Sequence, residues 1–165
     1  MTNFIVLYRS KTGFSRRYAQ WLAEELCCEA LDCRRGTDLA AYGGVILVGG
    51  LYAGRMAGLG WLKRQRLEGK RTAAVAVGCA PMDNPGLGES MEKLFGRLPQ
   101  IQGFYCQGGL DYEHMGRVDR AMMAALRASL GRSPERAEML EYISRSFDGS
   151  DRAYLAPVIA WAGSV

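Results

Sequence analysis

Six residues near the start of the chain, Ser10-Lys11-Thr12-Gly13-Phe14-Ser15, restrict the fold more than any other segment. An apolar run, Phe4-Ile5-Val6-Leu7-Tyr8, leads into them. A helical pattern follows at 15–26, with Tyr18, Leu22 and Leu26 spaced four apart. A strand that feeds a short hydroxylated, glycine-bearing loop and then a helix builds an anion site. The helix leaves its first N–H groups without acceptors and turns the positive end of its dipole toward the loop. Ser10, Thr12 and Ser15 add hydroxyl donors, and Gly13 lets the backbone come close to a phosphate. The segment reads as a phosphate monoester site; the plainer reading is a strand-to-helix turn with Ser15 as its N-cap. Lys11 precedes the glycine, so the loop is not a Walker loop, and a single glycine cannot supply a dinucleotide fingerprint.

Strands and helices alternate along the rest of the chain. Apolar, strand-like runs lie at 3–8, 29–33, 44–48, 72–77 and 103–107; Asp32 interrupts the second, and the third closes on Gly49-Gly50. Helical patterns lie at 15–26, 57–65, 87–97, 118–130 and 134–147, with a single turn at 38–42. Val118, Met122, Leu126 and Leu130 share one face and read as a core stripe under solvated arginines, the other reading being an amphipathic surface for a membrane quinone or partner; Ser133 and Pro134 provide a cap and a first helical residue. This alternation predicts an α/β domain: a parallel sheet covered on both faces, joined by right-handed crossovers. With 165 residues, 48% of them hydrophobic, and no repeat or linker, residues 1–165 read as a single domain.

In such sheets ligands bind beyond the carboxyl ends of the strands. The loops there are Gly50-Leu51-Tyr52-Ala53-Gly54-Arg55, Gly78-Cys79-Ala80-Pro81-Met82-Asp83-Asn84 and Gly108-Gly109-Leu110-Asp111-Tyr112. Each contains glycine, and two carry a tyrosine able to lie against a flat ring. With the phosphate loop on the same edge, they point to a flat phosphorylated cofactor, flavin mononucleotide (FMN).

Composition narrows the partners. A net charge of +4 is far from that of a nucleic-acid binder, and no aromatic–basic interleaving supports one. Segment 55–71 carries Arg55, Lys63, Arg64, Arg66, Lys70 and Arg71 against Glu68 alone. It is either a solvated face or a docking surface for an acidic partner or an anionic membrane. No apolar run approaches the roughly 18 residues of a membrane span, so membrane contact is at most peripheral. The N-terminus lacks a signal-peptide pattern, and a cytoplasmic location is expected. The five cysteines lack metal-ligand spacing and read as reduced thiols. Cys28 to Arg34 matches the spacing of some phosphatase loops, but Glu29 and Asp32 would lie inside it and repel phosphate. Cys79, at the end of a buried strand, reads as an inert thiol, and His114 as an exposed loop residue.

The chain resembles the flavodoxin-type FMN proteins. Ser10-Lys11-Thr12-Gly13-Phe14-Ser15 is similar to their Thr/Ser-x-Thr-Gly-x-Thr/Ser phosphate loop, and Tyr52-Ala53-Gly54 to their flavin-flanking loop after strand three. Gly108-Gly109-Leu110-Asp111-Tyr112, the Met- and Arg-rich segment 118–132 and a late Ala156-Pro157-Val158-Ile159 resemble the group that includes menaquinone-dependent protoporphyrinogen dehydrogenase. The resemblance implies a three-layer sandwich whose five parallel strands run in the order 2-1-3-4-5. It implies a flavin phosphate on Ser10, Lys11, Thr12, Gly13, Phe14 and Ser15, and a ring flanked by Leu51, Tyr52, Ala53 and Gly54. Tyr52 would stack on one face of that ring, and Gly54 would let a peptide turn its carbonyl toward the flavin N5. Cys79, Ala80 and Pro81, with Gly109, Asp111 and Tyr112, would border the pyrimidine end and the other face. Phe14 stands where many flavodoxins carry asparagine, and a basic chain departs from the acidic electron carriers. The expected function is electron transfer through a non-covalent flavin, to a redox partner protein, a quinone or another small-molecule acceptor. The alternative is a non-redox module that holds a phosphorylated small molecule. A phosphoacceptor receiver is excluded, because Arg9-Ser10-Lys11 stands where its acidic pair would be.

Overall fold

The computed structural model describes residues 1–164. In chain order its strands are β1 (Phe4–Arg9), β2 (Ala30–Asp32), β3 (Gly44–Tyr52), β4 (Arg55–Met56), β5 (Arg71–Gly78), β6 (Gln102–Gln107), β7 (Gly109–Leu110) and β8 (Phe147–Asp148). Five of them pair in parallel in the order β2-β1-β3-β5-β6, the order expected from the sequence. Their apolar runs have no polar face because both faces are covered. Val6, Ile46, Val48 and Val75 point to one side, against Tyr18 and Leu22 of α1 (Phe14–Leu26). Ile5, Leu7, Val45 and Leu47 point to the other, against Leu62 of α2 (Leu59–Lys63) and Phe95 of α3 (Leu87–Phe95). Tyr18 ties the layers together: its hydroxyl donates to the Gln107 carbonyl and accepts from the Asp151 N–H at 3.1 Å.

Three features differ from the sequence expectation. First, β3 runs on to Tyr52 and turns through Ala53-Gly54 into β4, so the segment read as an open loop is a tight hairpin. Ala53 (φ 49°) and Gly54 (φ 77°) both adopt left-handed backbone, the geometry of a type I′ turn. Second, the pattern at 134–147 is not one helix. A 3-10 turn at Pro134–Arg136 precedes α5 (Ala137–Ile143), Ser133 makes no side-chain cap bond, and Phe147 instead pairs with Leu110 across β7 and β8. Third, α6 (Ala156–Gly163) closes the chain and buries Val158 and Ala162 against the sheet. Its sequence is apolar on every side, so no polar face marks a period of 3.6.

Between β6 and α6 the chain makes an excursion of its own. The short β7–β8 pair forms its stem, and α4 (Arg117–Leu130) and α5 form its body. Leu110, Leu130 and Ile143 centre a small apolar cluster apart from the two cores that flank the sheet. We call residues 109–148 the cap.

The basic segment is partly structural. Lys70 donates to the Tyr42 carbonyl at 2.6 Å, and Arg71 holds the end of α6. The Arg71 guanidinium donates to the carbonyls of Trp161, Ala162 (3.0 Å) and Ser164 (2.6 Å), and lies 4.7 Å from the centre of the Trp161 ring. These carbonyls are the ones a helix end leaves without partners, and a cation there also opposes the dipole. Arg71→Met should lower stability by about 2 kcal/mol in urea unfolding, since hydrogen bonds to charged groups contribute about 1.5–3 kcal/mol. A change below about 0.5 kcal/mol would show that α6 is held by its apolar face alone.

Candidate functional site

The loop after β1 turns tightly into α1 and leaves the first N–H groups of the helix open to the cavity. Gly13 sits at φ 99° and is the N-cap of α1, so the helix starts two residues earlier than a Ser15 cap would place it. Ser10 Oγ accepts the Gly13 N–H at 3.0 Å and fixes the turn. The first helical bond runs from Arg17 N–H to Gly13 O at 3.0 Å. The N–H groups of Phe14, Ser15 and Arg16 therefore lie in the first turn with no intrahelical acceptor. Ser15 is buried at 3% exposure, inside that turn, and faces the cavity rather than capping the helix.

A cavity of about 220 Å³ opens at the carboxyl edge of the sheet. Of the residues picked out from sequence, it brings together Ser10, Thr12, Phe14, Ser15, Leu51, Tyr52, Ala53, Cys79, Gly109 and Asp111. Lys11, Gly13, Gly54, Ala80, Pro81 and Tyr112 stand outside its lining. Tyr112 is engaged within the cap: its hydroxyl donates to the Ile143 carbonyl, and the Arg127 guanidinium lies 5.2 Å from its ring centre. The strand-end loop at 78–81 is anchored by tyrosines. Tyr142 donates to the Cys79 carbonyl at 2.7 Å, and Tyr105 donates to the Ala80 carbonyl at 2.7 Å. Gln107 donates to the Tyr142 hydroxyl at 3.0 Å, so the cap is bonded to the sheet edge beside the cavity.

Tyr52 bends inward over the backbone of β3. A Cβ on Gly50 would stand 2.6 Å from its ring, so only glycine leaves room for this placement. Its hydroxyl is buried near the phosphate loop. Burial pushes its pKa up, as does the Asp119 carboxylate, against the opposing pull of the Lys11 backbone N–H and the Thr12 hydroxyl. The Lys11 ammonium lies 4.5 Å above the ring and 3.1 Å from Asp119 Oδ2.

Burial disfavours the thiolate form of the buried and half-buried cysteines. Burial raises the pKa of Cys79, and it pushes Cys106 to about 12. Burial likewise raises Cys28, and the Arg34 guanidinium is held by Asp32 at 2.9 Å, which removes the phosphatase arrangement. At the rim, His114 Nδ1 lies 2.7 Å from Asp111 Oδ2. Burial pushes the Asp111 carboxyl up, but the His114 ring and backbone N–H outweigh it and the net shift is downward.

The far wall was not foreseen. Met115, Asp119, Met122, Met123 and Leu126, from α4 and the turn before it, close the cavity opposite the sheet edge. Reading Val118, Met122, Leu126 and Leu130 as one core stripe was wrong for the first three, which are 73%, 44% and 44% exposed. The helix packs instead through Asp119, Met123, Arg127 and Leu130. The available signal was two adjacent apolar rows on one helix, too wide for the single contact a short cap provides. Chemically, the site joins a cluster of hydroxyl and N–H donors to an apolar slot. It can hold a phosphate at one end and a flat apolar ring at the other.

Among solved structures, the chain is similar to a presumed flavoprotein from Bacteroides eggerthii DSM 20697, at 13% identity and TM-score 0.47, covering 76% of this chain and 98% of that one. A flavodoxin from the domain Archaea matches at 11% identity and TM-score 0.43, over 86% and 99% of the two chains. An NAD(P)H:quinone oxidoreductase from Methanothermobacter marburgensis matches at 14% identity and TM-score 0.46, over 76% and 93%. No curated protein matches the sequence. The family model described as "Flavodoxin domain" matches residues 5–136, most of the chain, and the chain therefore belongs to the flavodoxin-domain family.

Proposed function

We propose that this chain is an FMN-dependent redox protein. The observation that carries the reading is the convergence of the phosphate loop and an apolar slot on one sheet edge. Ser10, Thr12, Ser15 and the free N–H groups of the first turn of α1 would hold the phosphate, with the helix dipole adding to the attraction. Leu51, Tyr52 and Ala53 would flank the ring on the hairpin side, and Cys79, Gly109 and Asp111 on the other. The cofactor would supply the electron chemistry. The protein would orient it, exclude water with the methionines of α4 and tune its potential through an apolar wall. Methionine side chains adapt to irregular apolar shapes, so the mouth suits a small apolar acceptor such as a quinone better than a rigid protein surface. A protoporphyrinogen-dehydrogenase-like activity in the cytoplasm, carried by residues 1–165 as one domain, is the most specific form of this reading.

Titration with FMN, followed by quenching of flavin fluorescence, tests it. Saturable quenching with a preference for FMN over riboflavin is expected. Saturation by phosphate esters that lack a flavin, without quenching by FMN, would instead favour a non-redox binding module. Anaerobically reduced, FMN-loaded protein should then be reoxidised faster by a soluble quinone than by buffer alone. Among the described residues, no helix is long and apolar enough to cross a membrane.

A further inference from the structure

The phosphate loop, the hairpin and the cap meet at three side chains. Lys11 of the loop bonds Asp119 Oδ1 and Oδ2 at 3.4 and 3.1 Å and lies 4.5 Å above the Tyr52 ring. Asp119 belongs to the first turn of α4, and its side chain is 16% exposed. It is thus one of two carboxylates, with Asp111, in the lining of a cavity that also presents the hydroxyls of Ser10, Thr12 and Ser15, and the one of the two that Lys11 holds. Tyr52, pressed onto Gly50, puts its hydroxyl beside the same donors.

A carboxylate and a phosphate cannot share this corner without cost. Like charges held close together in a partly buried corner repel, because little water screens them. Lys11 balances only one of them at a time. The helix that carries Asp119 is lightly packed: Val118 faces solvent, Met122 and Leu126 stay partly exposed at the cavity wall, and the cap has a small cluster of its own.

We propose that Lys11, Asp119 and Tyr52 form a clasp that holds the cap against the phosphate loop and opens when a phosphate takes the Lys11 charge. Asp119 then swings out with the first turn of α4, Tyr52 leaves the donors, and the methionine wall loosens at the mouth to admit the ring before closing on it. Phosphate binding thereby controls access to the apolar slot. Asp119 sets how strongly the site discriminates a phosphorylated flavin from its dephosphorylated form. The clasp rests on the FMN reading for the identity of its natural ligand, and on the Lys11–Asp119–Tyr52 geometry for everything else.

Hydrogen exchange of the α4 amides and paired affinities for FMN and riboflavin test the clasp. In the ligand-free protein, Asp119→Asn should speed α4 exchange about two- to fivefold, the range of a single exposed ion pair. The same substitution should raise FMN affinity about tenfold and leave riboflavin affinity within about twofold. In the wild type, FMN should speed exchange at the start of α4, and riboflavin should not. Lys11→Met, which leaves Asp119 uncompensated, should lower FMN affinity in the wild-type background far more than in the Asp119→Asn background. Equal protection of α4 by FMN and riboflavin, or an unchanged affinity ratio in Asp119→Asn, overturns the clasp. If neither flavin binds the wild type, the FMN reading fails, and inorganic phosphate becomes the probe. Faster α4 exchange on adding phosphate then upholds the clasp, and unchanged exchange overturns it.

Discussion

Thr12→Glu should weaken FMN binding by more than about a hundredfold, because it sets a carboxylate among the donors meant for an anion. Thr12 is half-buried in the loop and lines the cavity, so the new charge would lie in the cradle itself. Thr12→Val keeps the shape and removes one hydroxyl; it should cost about tenfold, the loss of one hydrogen bond to a charged group. Riboflavin, which lacks the phosphate, should bind both variants about as well as it binds the wild type. Fluorescence titrations of both ligands check this, with circular dichroism to confirm the fold. Equal losses for FMN and riboflavin would mean that the loop does not meet the phosphate.

Gly109→Val should destabilise the protein by about 3 kcal/mol and do so first in the cap. A Cβ at Gly109 would stand 2.1 Å from the Phe147 carbonyl oxygen and 3.0 Å from the Phe14 ring. The first contact is backbone, which cannot step aside without breaking the pairing of Gly109 with Asp148 and Leu110 with Phe147. Overpacking of this kind typically costs about 1–3 kcal/mol, and here it falls on the stem that closes the cap. Urea unfolding should show the loss in midpoint. Limited proteolysis should cut within 109–148 before the sheet opens. Uniform loss of protection across sheet and cap would show that the two unfold together.

How much of this was legible in the sequence follows from how each element buries its apolar residues. The strand–turn–helix at the start of the chain was legible because its parts are contiguous: strand, hydroxyls, glycine and helix follow one another from Phe4–Arg9 to Phe14–Leu26. The parallel strands were legible as unbroken apolar runs. Helix α6 was not, since residues apolar on every side show no period. The hairpin was missed because Ala53 holds a left-handed backbone that alanine seldom adopts, so the sequence carries no Asn-Gly or Asp-Gly signal. The lining of the cavity was legible only in part. Tyr52 and Cys79 were found from the sheet edge, but Met122, Met123 and Asp119 reach the cavity from a helix that the sequence assigns to the core. A row of apolar residues at helical spacing shows that a face is covered, not what covers it.

The most direct measurement is the visible absorption spectrum of the protein reconstituted with FMN and freed of excess cofactor, recorded before and after anaerobic reduction. The expected result is retained flavin, in a ratio near one per chain, whose oxidised bands bleach on reduction and return when a quinone is added. A colourless protein after removal of free FMN would contradict the flavin reading and leave a phosphate-binding fold without redox chemistry.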